Sequence, residues 1–112
     1  MTLNEKYVLH IPLYKFTEKE LILIEIEDIL EDLISRLAEN GYGNLYIVEA
    51  EGYYKSRRYT EKLITIFTSS SSQPLPDEIF RDWFKDHNDM MSQEALAFEH
   101  NNRLFVEKLE LS

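Results

Sequence analysis

The segment that decides the fold is TEKELILIEIEDILEDLISRLAENG, residues 17–41. Its apolar residues recur at three- and four-residue spacing, the period of one buried helix face; they are Ile22, Ile26, Ile29, Leu30, Leu33 and Leu37. The spacing Thr17-x-x-Glu20 is that of a capping box at a helix start, and Asn40-Gly41 is typical of a helix end. The segment therefore predicts a long acidic helix over residues 18–39.

Strand-like runs flank this helix. Residues 6–14 alternate, which places Tyr7, Leu9, Ile11 and Leu13 on one face, and Pro12 indicates a strand end, a bulge or an edge. Residues 44–54 and 59–68 are two further strand-like runs. The link Lys55-Ser56-Arg57-Arg58 between them is short enough for a hairpin.

The remainder of the chain predicts a second helix and a closing hairpin. A loop at 69–76 precedes a helix that begins near Asp77, directly after Pro76, with Ile79, Phe80, Trp83 and Phe84 on one stripe. The sequence leaves open whether residues 89–100 are helix or strand, because the helical period allows continuation to Met91 or beyond. We interpret 95–100 as a strand that turns at Asn101-Asn102 into 103–109, since asparagine tolerates the positive φ of a tight turn.

The order strand–helix–strand–strand–helix–strand defines the expected fold class. It predicts an α+β protein with a ferredoxin-like βαββαβ(β) sandwich, in which an antiparallel sheet carries two helices on one face. At 112 residues, the chain is expected to form a single domain over 1–112.

Three stretches carry a resemblance: YVLHIPLY at 7–14, the region 52–67 that includes YTEKLITIF, and QEALAF at 93–98. In these stretches the chain resembles small uncharacterised proteins of bacteria, phages and plasmids. The resemblance implies a ferredoxin-like domain and implies no particular activity. The chain departs from that pattern at Ala95, where the class often has serine.

Composition excludes several classes of function. The chain has no cysteine, so it holds no disulfide or thiolate metal site. No signal peptide or membrane span is evident, so we expect a cytoplasmic protein. The formal net charge of −9 repels nucleic acid and anionic membranes and attracts basic partners.

Much of this negative charge lies along the predicted first helix. Like-charged carboxylates at four-residue spacing cost the helix a few tenths of a kcal/mol each, so their presence favours a recognition face; a solvated acidic face is the alternative. The candidate partner-binding residues are Glu20, Glu27, Asp28, Glu31, Asp32 and Glu39.

A second candidate surface is the basic, aromatic loop between the central strands. Interleaved aromatic and basic residues contact phosphates or acidic grooves, and they also occur at solvated hairpin tips. The residues are Tyr54, Lys55, Arg57 and Arg58.

No pattern in the chain has the spacing of a catalytic or metal site. The three histidines lie on different elements without metal-ligand spacing, and Asp86-His87 are helix neighbours whose side chains point apart. Glu49 and Glu51 share a strand face, but nothing else indicates a sugar cleft. We therefore expect no metal, no cofactor and no enzymatic activity.

These observations favour a small acidic, non-enzymatic binding protein. Its acidic helix would imitate the phosphates of nucleic acid and occupy a basic site on a nucleic-acid-binding enzyme, as a mobile-element inhibitor of a nuclease or a CRISPR effector. The alternative is a dimeric ferredoxin-like module that binds a small ligand or regulates a partner. A homodimer is expected because the central hairpin carries apolar residues on both faces.

Overall fold

The structure, a computed structural model, describes residues 3–69 and 73–109, apart from the side chain of Phe16. It contains the following elements: β1 (Glu5–Pro12), β2 (Tyr14–Phe16), β3 (Leu21–Leu23), α1 (Glu27–Glu39), β4 (Leu45–Tyr54), β5 (Arg57–Thr68), α2 (Pro76–Met91), β6 (Leu96–His100) and β7 (Arg103–Glu107).

The main sheet is antiparallel and has five strands in the order β4-β5-β1-β6-β7, while β2 and β3 form a separate small ribbon. This architecture confirms the α+β class, with an antiparallel sheet and two helices. The strand order does not confirm the finer ferredoxin-like topology, and the β2–β3 ribbon between β1 and α1 was not predicted.

The predicted first helix is wrong over residues 18–26. Thr17 closes a turn between β2 and β3: its Oγ1 accepts the Glu20 amide at 3.0 Å and donates to the Glu20 carbonyl at 3.0 Å. The side chain of Ile22 is exposed on β3, and α1 begins only at Glu27. The run LILIEI fits a strand as well as a helix because its branched isoleucines suit a strand and its apolar positions satisfy both periods.

The other element predictions are close to the structure. Pro12 ends β1, one of the three roles that proline indicated. The hairpin of β4 and β5 turns at Lys55-Ser56, two residues with φ of 50° and 65°, so it is tighter than the predicted four-residue link. Asn101-Asn102 form the β6–β7 turn with φ of 50° and 70°, as predicted.

The open question over residues 89–100 is settled by the end of α2. This helix runs from Pro76 to Met91 and ends at Ser92, which adopts the left-handed conformation with φ of 50°. Strand β6 starts at Leu96, so the stretch is helix first and strand afterwards. The predicted loop at 69–76 lies partly outside the described residues, because 70–72 are not described.

Both helices pack on the same face of the sheet. Tyr7, Leu9 and Ile11 of β1 are buried there with residues of both helices in one core. The indole nitrogen of Trp83 donates to the Ile29 carbonyl at 2.7 Å and so joins α2 to α1. The predicted core residues Ile26, Leu33 and Trp83 are at most 5% exposed, which confirms them as core.

The opposite face of the sheet has no helix among the described residues. It carries the even-numbered residues of β1, including His10, and apolar side chains that remain exposed: Tyr46, Val48, Phe67, Leu104 and Val106. We call it the open face. In the part of the chain that the structure describes, no helix is long and apolar enough to cross a membrane.

Candidate functional site

The structure places five of the six predicted acidic recognition residues on α1. Glu20 lies outside it, in the turn before β3. Glu27 and Asp28 occupy the first turn of α1, where carboxylates interact favourably with the helix dipole. Glu31 and Glu39 are exposed further along the helix.

Asp32 differs from these because it is already engaged within the protein. Its Oδ2 contacts His87 Nε2 at 2.6 Å and Arg36 Nη2 at 3.0 Å, and Arg36 also contacts Asp86 at 2.7 Å. These hydrogen bonds, first that of His87 and then that of Arg36, lower the pKa of Asp32. Asp32 therefore connects the two helices and contributes less free negative charge than the sequence suggested.

The predicted basic loop is divided between the two faces of the sheet. Tyr54 pairs with Arg57 across the ladder, and Arg58 is displaced by one residue to the opposite face. Lys55 lies in the turn, with its Nζ 5.3 Å from the centre of the Tyr54 ring. Arg57 donates to the Glu18 carbonyl at 3.4 Å, which directs it toward the turn between β2 and β3.

Tyr54 also lines a cleft that sequence reasoning did not predict. The cleft encloses about 310 Å³ where the end of β1, the segment after α2 and the β4–β5 hairpin meet. We call it the tyrosine cleft; its lining residues are Pro12, Leu13, Tyr14, Tyr54, Tyr59, Glu61, Ser92, Gln93, Glu94 and Ala95.

One wall of the cleft is held by the segment that follows α2. The Asn88 side chain donates to the Gln93 carbonyl at 3.0 Å and accepts the Gln93 amide at 2.9 Å. The Gln93 side chain then donates to the carbonyls of Tyr14 at 3.1 Å and Met91 at 2.8 Å. This ties the wall to β2.

Tyr59 forms part of another wall through its packing on Gly52. The two residues are direct partners across the β4–β5 ladder. A Cβ atom at Gly52 would lie 2.6 Å from the Cζ and hydroxyl oxygen of Tyr59, so the absence of a side chain at Gly52 gives this ring its place. Burial, followed by the nearby charge of Glu61, raises the pKa of Tyr59.

The tyrosine cleft contains carboxylates, and the hollow beside it also contains cationic groups. Glu61 and Glu94 supply carboxylates to the cleft. A neighbouring hollow shares Tyr54 and Glu94 with it and adds Thr17, Glu18, Lys55 and Arg57. Together the two hollows offer aromatic rings, carboxylates and cationic groups, a combination suited to a ligand that carries both signs of charge.

Glu61 forms a hydrogen bond with His10. The Nδ1 atom of His10 lies 3.0 Å from Glu61, and its Nε2 atom lies 2.8 Å from Glu99. The hydrogen bond to Glu61 is the largest cause of a raised pKa at His10. His87 and His100 have different partners, Asp32 and Glu5, and no group of metal-ligating side chains occurs within residues 3–69 and 73–109.

Sequence reasoning missed this site because its members come from distant parts of the chain. His10 and Glu99 are 89 positions apart, and neither carries a local motif. The signals that were present are the cluster of tyrosines at 53–59 beside Gly52 and the stretch 93–98 of the noted resemblance, part of which lines the cleft.

Comparison with known proteins relates this fold to an enzyme of phages. No protein-family model matches the sequence, and no curated protein sequence matches it significantly. A phage SAM lyase in its apo state is similar in structure, with a TM-score of 0.59 and 16% identity over 96% of this chain and 90% of that one. The phage SAM lyase in complex with S-methyl-5′-thioadenosine gives 0.57 and 16% over 96% and 92%.

This similarity bears on two earlier expectations. The expectation that the protein is not an enzyme is overturned, because the same fold is found in an enzyme. The predicted resemblance to phage proteins is supported to the extent that the structural neighbour is a phage protein. At 16% identity the similarity establishes the fold alone.

Proposed function

We propose that this protein is an enzyme that binds S-adenosylmethionine in the tyrosine cleft and cleaves it to S-methyl-5′-thioadenosine. The observation that carries the proposal is the composition of the cleft, where Tyr54 and Tyr59 lie beside Glu61. The structural similarity to a phage SAM lyase, one of whose structures contains S-methyl-5′-thioadenosine, supports the choice of ligand.

Each part of S-adenosylmethionine has a matching group at the cleft. Adenine stacks on aromatic rings, and the tyrosines provide such rings at 14, 54 and 59. The sulfonium is a cation, which both carboxylates and aromatic faces attract. The substrate's own carboxylate is matched by Lys55 and Arg57 in the neighbouring hollow.

The charge of the cleft also fits the direction of the reaction. The bond that breaks joins the sulfonium sulfur to the four-carbon amino acid chain, and its electron pair goes to sulfur while the substrate's own carboxylate oxygen forms the new bond to that carbon, so that the four-carbon fragment leaves as a lactone. The cation thereby becomes a neutral thioether. The product loses its ionic attraction to Glu61, which favours its release.

The experiment is a product assay combined with direct binding. Purified protein is incubated with S-adenosylmethionine, and S-methyl-5′-thioadenosine and the four-carbon fragment are followed by chromatography and mass spectrometry. Calorimetry with S-methyl-5′-thioadenosine measures binding to the cleft. Glu61→Gln should lower turnover at least tenfold. Glu49 is an exposed carboxylate on the other face of the sheet from Glu61, so Glu49→Gln should leave turnover unchanged.

Two results would refute the proposal. One is the absence of both binding and product at millimolar ligand. The other is equal loss of activity in the Glu61→Gln and Glu49→Gln variants, which would point to a general charge effect rather than to the cleft.

We also propose that the sheet and the two helices have a ferredoxin-like core. Strands β1 and β4 run parallel on either side of β5 and are joined through α1, while β5 and β6 run parallel on either side of β1 and are joined through α2. Two such split units support a ferredoxin-like core to which β7 is added. A crystal structure would test that assignment.

A second, independent proposal is that α1 binds a basic partner. It is favoured by the exposure of four carboxylates on one helix, those of Glu27, Asp28, Glu31 and Glu39. A nucleic-acid-binding enzyme has the basic surface that such a face would recognise. Capture of a partner that is lost after charge reversal of α1 would support this interaction.

Self-association remains a proposal of the same kind. The exposed apolar side chains of the open face, Tyr46, Val48, Phe67, Leu104 and Val106, are suited to burial against a second copy. Light scattering that shows a monomer at high micromolar concentration would contradict it.

A further inference from the structure

His10 contacts Glu61, one of the residues that line the tyrosine cleft. It lies on the open face of β1, with Glu61 of β5 on one side and Glu99 of β6 on the other. The side chains of His10 and Glu61 are 22% and 19% exposed, so water screens their interaction only in part. Glu61 lines the cleft, whereas His10 does not.

The geometry indicates that His10 carries two protons. A neutral imidazole has one N–H donor, and a carboxylate can only accept, so a neutral ring would leave one nitrogen lone pair facing an oxygen. An imidazolium donates to both carboxylates. The raised pKa of His10, caused first by its hydrogen bond to Glu61, agrees with that state.

We propose that His10 couples the binding of a cationic sulfonium in the tyrosine cleft to the release of a proton. The proposal rests on the proposed function, because it assumes a sulfonium beside Glu61. Imidazolium and sulfonium then share one carboxylate, and each weakens the attraction of the other for it.

The other charged groups around His10 do not remove this competition. Of the described residues on the adjacent strands, β5 presents Glu61 and, further along, Tyr59, and β6 presents Glu99. The next strands outward, β4 and β7, present the apolar Val48 and Val106 at the level of His10. On β1 itself, Lys6 faces the same way but lies four residues away, about 13 Å along the strand.

The sign of the coupling follows from linkage. A bound cation lowers the pKa of His10, so the complex holds fewer protons than the free protein at intermediate pH. By reciprocity, raising the pH must strengthen cation binding. Affinity should increase between the lowered pKa of the complex and the raised pKa of the free protein, and should be constant above both. A shift of one pKa unit corresponds to about a tenfold change in affinity.

A neutral thioether has no such competition with the imidazolium. S-methyl-5′-thioadenosine should bind with nearly constant affinity over the same pH range. Protonated His10 would therefore disfavour the cationic substrate relative to the neutral product, and loss of its proton would remove that disadvantage.

The test compares two probes that differ by one methyl group and one charge. They are S-methyl-5′-thioadenosine and its S-methylated sulfonium, 5′-deoxy-5′-dimethylsulfonioadenosine. Neither has the amino acid chain, so neither undergoes the proposed cleavage. Calorimetry between pH 5.5 and 8.5, in two buffers of different protonation enthalpy, gives the affinity and the number of protons released.

Three variants identify the group that titrates. His10→Gln should remove the pH dependence of sulfonium affinity. Glu99→Gln removes one carboxylate partner, lowers the pKa of His10 and should move the midpoint to lower pH. His87→Gln, a histidine bonded to Asp32 at a distance from the cleft, is the matched control and should bind as the unaltered protein does.

The possible outcomes separate this inference from the proposed function. About tenfold tighter sulfonium binding at high pH, with proton release and a flat thioether profile, supports the coupling. If both probes bind with the same pH profile, or if His10→Gln keeps the dependence, the coupling is refuted and the proposed ligand class stands. If neither probe binds, both the proposed function and the coupling are wrong. If His10→Gln does not fold, the pH midpoint of sulfonium binding in Glu99→Gln decides. A midpoint at lower pH supports the coupling, and an unchanged midpoint refutes it.

Discussion

Truncation of two leucines from the same sequence segment tests the revised start of α1. Leu33 and Leu23 both belong to the stretch that sequence period alone assigns to one helix. In the structure Leu33 is 0% exposed in the core, whereas Leu23 is 65% exposed on β3. Leu33→Ala and Leu23→Ala therefore make the same chemical change in opposite environments.

The magnitudes follow from burial. Truncation of Leu33 removes three fully buried carbon atoms, which at about 0.8 kcal/mol each give about 2.4 kcal/mol of lost transfer free energy. A cavity between α1, α2 and the sheet adds to this, so the total loss should be about 2–5 kcal/mol. Leu23→Ala gives up little burial and should cost less than about 1 kcal/mol, mainly through strand propensity.

The assay is urea unfolding followed by far-ultraviolet circular dichroism and by Trp83 fluorescence. Coincident transitions would justify a two-state free energy, and an unchanged m-value would show that the denatured state is not altered. Equal losses in the two variants, or a loss below about 0.5 kcal/mol for Leu33→Ala, would refute the description of α1 and of the β2–β3 ribbon.

Three further predictions concern the cleft, the acidic helix and His10. Gly52→Ala should displace the Tyr59 ring and weaken S-methyl-5′-thioadenosine binding at least fivefold, as measured by calorimetry. Because only the end of a side chain must move, the unfolding free energy of the variant should change by about 1 kcal/mol or less. An unaltered affinity would show that Tyr59 does not contact the ligand. Simultaneous reversal to lysine of Glu27, Asp28 and Glu31, all exposed on α1, should abolish binding of any captured basic partner while the fold persists. Surface plasmon resonance across a salt series checks this, and an affinity that does not depend on salt would be the contrary result. The stabilisation that His10 gains from its two carboxylate partners should be complete below its ordinary pKa of about 6.5 and should disappear as pH rises through its raised pKa in the folded state. The difference in unfolding free energy between the unaltered protein and His10→Gln should therefore shrink from pH 6 to pH 8.5. A difference that stays constant over this range would contradict the prediction.

Local sequence was sufficient where one pattern had a single physical solution. Alternation fixed which residues of β1 are buried, because a strand sends successive side chains to opposite faces. The Asn101-Asn102 pair identified the β6–β7 turn, since few residues other than glycine tolerate positive φ at two successive positions. Pro76 marked the start of α2 for a similar reason: its missing N–H is not needed in the first helical turn.

Local sequence was insufficient where two structures satisfied the same pattern. Thr17 and Glu20 fit both a helix cap and a β-turn, and the apolar residues after them fit both periods. The choice depends on a contact outside the segment, where the Ile24 amide donates to the Leu13 carbonyl at 2.8 Å and extends the β2–β3 ribbon. No property of residues 17–26 alone reveals that partner.

The tyrosine cleft depended wholly on tertiary structure. The chain itself determined that β1 would expose His10 on the face opposite its core residues, but it did not determine what would lie beside it. The strand order β5-β1-β6 brings Glu61 and Glu99 to the two ring nitrogens from 51 and 89 positions away. A sequence pattern records spacing along the chain, whereas a site of this kind is defined by distances across a sheet, which exist only after the strands have paired.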